Sequence, residues 1–317
     1  IIEDKEKNQF VWVPVSNINA DESNKRVKDD GSEVEITLGR YTFKREENST
    51  TGLYEDGTPI LIQKGSEYAQ TTVAKATAGT LDTKYRIENY YYELSDSRIS
   101  NESGGPSGTN TTAKDLKTFI EKTNENKGFY IARYEASYGS GYNASGTTTE
   151  EKYGSAKPLS KASTAKSTTA MNYVEGTLWN FISEPQAAIV SRNMYKNNSY
   201  VESDLVNSYA WNTAIAYIQA MENSNYANAN RDSNGNTTLM DTGKTGDEKC
   251  KIFDMAGNLC EWTTEYGTYK YSKHASPGVF NGGNGFRSEY YTSYRNGHYA
   301  DCTASSFSFR PLIYVVQ

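Results

Sequence analysis

The sequence predicts an α+β domain on three observations: two stretches with helical apolar spacing, many short apolar or alternating runs of strand length, and long polar loops between them. The chain has 317 residues, enough for one large domain or two. No fixed period repeats along it, and no linker separates two independently cored halves. A single domain over 1–317 is therefore expected, with insertions at about 44–111, 139–170 and 223–248. Mean hydropathy is −0.76 and hydrophobic residues make up 36%, values that alone would point to disorder. The 26 Tyr, 10 Phe and 4 Trp contradict that, because disordered chains are poor in rings. The core must draw largely on amphipathic rings, which also serve at a surface with one end wet.

FVWVPV at 10–15 reads as a first strand, and Pro14 within it places it at a sheet edge, since proline donates nothing to a ladder. Residues 19–35 are a polar loop, and ITLGRYTF at 36–43 is the next strand. The polar stretch from Glu46 to Asn110 holds short strands at 60–63 (ILIQ) and 87–94 (IENYYYEL), then the turn-rich SGGPSGTN. Thr112 to Lys122 is predicted as a helix. Leu116, Phe119 and Ile120 fall at i, i+3, i+4, with Thr112 as N-cap and Asp115 three residues on.

GFYIARYEAS at 128–137 alternates like a half-buried strand, Tyr130, Ala132 and Tyr134 against Phe129, Ile131 and Arg133. Residues 139–170, mostly Gly, Ser, Thr, Ala and Lys, read as a loop with little to bury. A second helix runs from Tyr209 to Glu222, with Trp211, Ile215, Ile218 and Met221 on one stripe and Asn207 or Ser208 as cap. Residues 223–248 are loop again, with an Asn-Gly turn at 234–235. KIFDMAGNLCEWTTEY at 251–266 reads as strand, turn, strand; VFNGGNGF at 279–286 is Gly-rich; FSFRPLIYVV at 307–316 is a closing apolar strand.

Composition excludes some functions. Thirty-three basic against 39 acidic residues give a net charge of −6, which argues against a grip on nucleic acid. No run approaches the roughly 18 apolar residues of a membrane span, so this stretch is expected to be soluble. The start Ile1-Ile2-Glu3, without Met or signal pattern, reads as that of a trimmed piece. His274 and His298 are too few for a three-histidine metal site. Cys250, Cys260 and Cys302 lack metal-site spacing; Cys250 and Cys260 flank a strand pair and either bridge it or remain thiols.

Phe253-Asp254-Met255-Ala256-Gly257-Asn258, followed by Glu261-Trp262-Thr263, resembles the D-x-x-G-N-V-W-E-W signature of the formylglycine-generating enzyme superfamily. Other landmarks fall in the family's order: VWVPV at 11–15, FYIARYEAS at 129–137, Tyr209-Ala210-Trp211-Asn212-Thr213-Ala214, Gly282-Gly283 and Phe309-Arg310-Pro311. Residues 19–128 and 139–170 match poorly. The resemblance implies a C-type-lectin-like fold.

The superfamily's copper-dependent oxidases carry one cysteine four residues past the second glycine of the GG turn and another five residues later. Those positions here are Arg287 and Thr292, neither of which replaces a thiolate, and Cys302 lies ten residues too late. The iron-binding branch needs three histidines. The resemblance is therefore to the non-catalytic branch of lectin-like receptors, which includes retroelement-diversified variable proteins of phage, bacteria and archaea. In these the segment between the GG turn and the last strand displays interchangeable residues. Here it is 284–306, and the resemblance makes Arg287, Glu289, Tyr290, Tyr291, Tyr294, Arg295, Asn296, His298, Tyr299, Asp301 and Ser305 candidate ligand-binding residues. Tyr, Ser and Asn with occasional Arg is also what antibody loops use.

No catalytic residue and no cofactor is expected. Glu261 with the carbonyls of the Ala256-Gly257-Asn258 turn is a candidate for a structural calcium, although in the superfamily this motif is often structural, with the tryptophan in the core. Asp232-Ser233-Asn234-Gly235-Asn236 lacks the glycine and glutamate positions of a calcium loop and reads as a turn. Glu184-Pro185-Gln186 and Trp211-Asn212-Thr213 resemble sugar-binding triplets, but the helix stripe claims Trp211. His298 near Asp301 and Ser305 lacks a nucleophile turn and reads as a contact residue. The expected function is a non-catalytic receptor or adhesin for a macromolecular ligand, protein or glycan, on a bacterial surface or phage particle. The alternatives are a diverged oxidoreductase of the superfamily and a structural pilus or particle component.

Overall fold

The apolar runs at 9–14 and 128–132 pair antiparallel, with Phe129 opposite Val13 and Ile131 opposite Val11. This pair centres a computed structural model that describes residues 1–15, 26–27, 31–68, 86–87, 91–93, 112–222, 224–230, 238–267, 277–281 and 291–317. The first strands are β1 (Ile2–Glu3), β2 (Gln9–Pro14), β3 (Arg26–Val27), β4 (Glu33–Val34), β5 (Gly39–Phe43), β6 (Glu46–Glu47), β7 (Tyr54–Asp56), β8 (Pro59–Lys64), β9 (Arg86–Ile87) and β10 (Tyr91–Tyr92). Then come α1 (Leu116–Asn126), β11 (Gly128–Ala132), β12 (Ser137–Ser140), α2 (Thr149–Tyr153), β13 (Lys157–Leu159), α3 (Glu184–Asn193), β14 (Val201–Leu205) and α4 (Ser208–Met221). The chain closes with β15 (Glu248–Lys249), β16 (Ile252–Phe253), β17 (Cys260–Gly267), β18 (Pro277–Asn281), β19 (Arg295–Tyr299), β20 (Phe307–Phe309) and β21 (Pro311–Val315).

The architecture is α+β. One sheet has the order β1-β2-β11-β21-β14; a second runs β19-β18-β17-β10-β9, with β20 added parallel to β17. The first sheet is covered on both faces. Val11, Val13, Phe129, Ile131 and Leu312 pack against Leu116, Phe119 and Ile120 of α1 and Trp211, Ile215 and Ile218 of α4. Phe10, Ala132 and Ile313 of the same strands pack against Met194 at the end of α3. β2 as a whole is not an edge strand, since it lies between β1 and β11, but β1 pairs only with Gln9 and Phe10, so Pro14 stands on a local edge and pairs with Gly128 of β11 alone.

Four α-helices stand among the described residues, two more than the spacing predicts. Helix α1 starts later than Thr112 suggests, because Asp115 is its N-cap and accepts from the Thr118 N–H at 2.9 Å. Residues 139–170 are not simply loop. Strands β12 and β13 pair, and α2 is started by Thr148 and Glu151 in a capping box. The sparse apolar residues there suffice: Tyr153 and Ala156 join Tyr138, Trp179, Trp262 and Phe309 in a second core. Helix α3 begins with Pro185 in its first turn, and Gln186 accepts from the Ser183 N–H. Among the described residues no helix is long and apolar enough to cross a membrane.

Candidate ligand-binding face

Two buried charge networks fix the ground on which the C-terminal segment rests. In the first, Arg310 forks onto Glu261 at 3.0 and 2.7 Å and donates to the carbonyls of Ala132 and Phe253, each at 2.8 Å. Glu261 is thus engaged by a guanidinium inside the core, beside the buried Trp262. Asp254 accepts from Thr242, Thr245 and the Gly243 N–H, and Glu135 accepts from Asn258 and the Leu259 N–H. The Asp254–Trp262 motif therefore knots β11, β16, β17 and the start of β21 together. Burial raises Glu135 well above the usual carboxylate range, and the charges of Asp254 and Glu261 add to it.

In the second network Glu265 on β17 receives Arg40 from β5 at 2.5 Å and Arg295 from β19 at 3.0 Å. Arg295 also donates to the Tyr41 carbonyl and to Asn212 Oδ1. It is only 6% exposed, so it is not the surface contact that its place in a Tyr-rich segment suggests. Its charge is spent on joining β19 to β5, β17 and α4. Nearby Glu93 is pushed up to about 7, first by burial and then by the Glu265 charge.

Over this ground the segment is tied down mainly through its own backbone. Thr292 and Ser293 N–H groups donate to the carbonyls of Ala229 and Ala227, both at 3.0 Å, and Trp211 Nε1 donates to the Thr292 carbonyl. Residues 295–299 form a ladder with β18. Carbonyls of Ala300, Ala304 and Ser305 accept from Glu184 N–H, Phe181 N–H and Asn180 Nδ2. Only Thr292, Arg295 and Ala300 in 291–300 are buried; Tyr291, Tyr294, Asn296, His298, Tyr299, Asp301 and Ser305 are partly exposed.

Tyr291 lies on the Arg45 guanidinium, 3.5 Å from Cζ to the ring centre, and meets Tyr294 edge-on at 5.4 Å. Tyr294 and Cys302 lean on the second core. The His298 ring stands edge-on to Tyr299 and Phe307, and its Nδ1 accepts from the Tyr299 N–H. Burial lowers the His298 pKa, against the opposing charge of Asp301. Arg287, Glu289 and Tyr290 lie outside the described residues, as does the turn at 232–236. All three cysteines are free thiols, so Cys250 and Cys260 do not bridge. Arg45, in a polar stretch without a motif, gave no signal in the sequence.

Among the described residues no group of three or more His, Cys, Asp or Glu is placed to hold a metal. An open polar groove of about 690 Å³, lined by Asp4, Lys5, Lys157, Tyr195 and Lys196 among others, borders none of the candidate residues. No family model matches the chain, and no curated protein matches it. The crystal structure of CarF is similar over 89% of this chain and 97% of that one, at 14% identity and a TM-score of 0.28. A likeness at that score identifies neither fold nor function.

Proposed function

We propose that the chain is a non-catalytic receptor or adhesin with a C-type-lectin-like scaffold, working outside the cell on a bacterial surface or phage particle. Its ligand is a macromolecule, met through the partly exposed residues of 291–305, Tyr291, Asn296, Tyr299, Asp301 and Ser305 among them; Arg287, Glu289 and Tyr290 remain candidates on the sequence alone. The observation that supports this most is the way 291–305 is held. Main-chain hydrogen bonds do not depend on which side chain is attached, so the path of the segment survives exchange of its partly exposed residues. Tyrosine then offers broad, stiff contact area, and Asn, Ser and Asp offer adaptable hydrogen bonds.

The test uses two probes, a displayed library of random peptides and a glycan array, each presented with the full chain. Tyr291→Ser with Tyr299→Ser should weaken the captured binders at least tenfold, while the melting temperature moves by less than about 2 °C, the equivalent of about 1 kcal/mol. Binders indifferent to both changes would refute the assignment of this face. A melting temperature that collapses would show the rings to be core.

A further inference from the structure

We propose that Arg45, from the β6–β7 side of the molecule, belongs to the ligand face and receives a carboxylate of a protein partner. The inference rests on the receptor reading and adds to it a second wall and a ligand chemistry.

Arg45 is exposed, yet its guanidinium is held in place: Cζ lies 4.0 Å from the centre of the Tyr54 ring and 3.5 Å from that of Tyr291. Stacking occupies the face of the guanidinium and leaves its N–H edge for partners in the plane. Among the described residues no carboxylate pairs with it, although Glu46, Glu47, Glu55 and Asp56 all stand on the same pair of strands and the turn beside them. Asp56 is engaged by Lys44 and Thr58, and Glu55 accepts from Asn48. An exposed guanidinium immobilised between rings, with an unused fork, matches a carboxylate in the bidentate way that a lysine does not. Its placement against Tyr291 makes it continuous with the face assigned above.

The surroundings favour protein as the source of that carboxylate. Leu53 and Ile60, 60% and 44% exposed, stand on the same insert, one beside Tyr54 and the other on β8. Exposed aliphatic side chains gain from apolar protein surface and little from a polyhydroxylated sugar. The partner is therefore an acidic side chain flanked by apolar residues.

Random linear peptides displayed on phage are selected against the full chain, with an array of sialylated and uronic-acid glycans as the second arm. Selected peptides should carry Asp or Glu next to apolar residues. Changing that acid to its amide, or Arg45→Ala, should each weaken binding about tenfold or more, and the two together no more than either alone. Arg45→Lys should not restore it. Because Arg45 is exposed, thermal unfolding of the variants should match the parent. Peptides without an acid, peptides indifferent to Arg45→Ala, or no selected peptide at all would overturn the inference, and binding confined to acidic glycans would overturn the protein partner. If Tyr299→Ser weakens the peptides and Arg45→Ala does not, the receptor reading stands and this inference falls; if neither acts, both fall.

Discussion

Glu93 is buried and Asp247 half-buried, so the charged form of each carboxyl loses hydration. Burial lifts Glu93 from the ordinary 4.5 to about 7 and Asp247 from 3.8 to about 6. Each therefore takes up a proton on folding. The stability linked to them is complete below the unfolded values and is lost as pH rises through about 6 and about 7. Glu135 acts in the same direction. Asp56 and Glu151, held below their ordinary values of 3.8 and 4.5, act only at more acid pH. The urea midpoint should thus be higher near pH 5 than near pH 8, and Glu93→Gln should flatten that slope; a midpoint that rises with pH would contradict the sign. At this scale the sequence was legible where a motif carried the residue. Glu261 before Trp262 and Arg310 after Phe309 were marked, and they meet in the core. Arg295 misled, because a Tyr-, Ser- and Asn-rich neighbourhood does not tell which single side chain turns inward to Glu265.

Among the elements, α1, β2, β11, α4 and the closing strands were legible because each repeats apolar residues at its own period over a sufficient length. Helices α2 and α3 were not read, since a five-residue helix has no period to show and α3 is buried nearly all round, which erases its stripe. Their signals were local: Thr148 with Glu151, and Ser183 with Pro185 and Gln186. The passage from α1 to β11 depends on Gly128, where a Cβ would lie 2.3 Å from the Trp12 ring and 2.6 Å from the Val13 carbonyl. Gly128→Ala should cost about 1–3 kcal/mol by overpacking, read from thermal unfolding. An unchanged melting temperature would mean that β2 and β11 are not so closely apposed.

For the molecule as a whole, low hydropathy coexists with two aromatic cores, one around Trp211 and the other around Trp179 and Trp262. The α+β class was legible; the pairing of early with late strands was not, because runs of similar apolar character do not say which of them meet. The 44–64 insert was not assigned to any face, because its contact with Tyr291 passes through a single arginine in a polar stretch. On the receptor reading, the backbone and the buried Thr292, Arg295 and Ala300 hold 291–305, and the partly exposed positions that do not lean on the second core tolerate exchange. The most direct measurement is a saturation library over those positions, displayed on cells and sorted for the folded state by protease resistance. Tyr291, Asn296, Tyr299, Asp301 and Ser305 should accept most residues, while Thr292, Arg295 and Ala300 should not. Loss of Arg295 alone should cost about 3–5 kcal/mol, since it leaves a buried network short of one charge. Equal intolerance at both sets of positions would contradict the account.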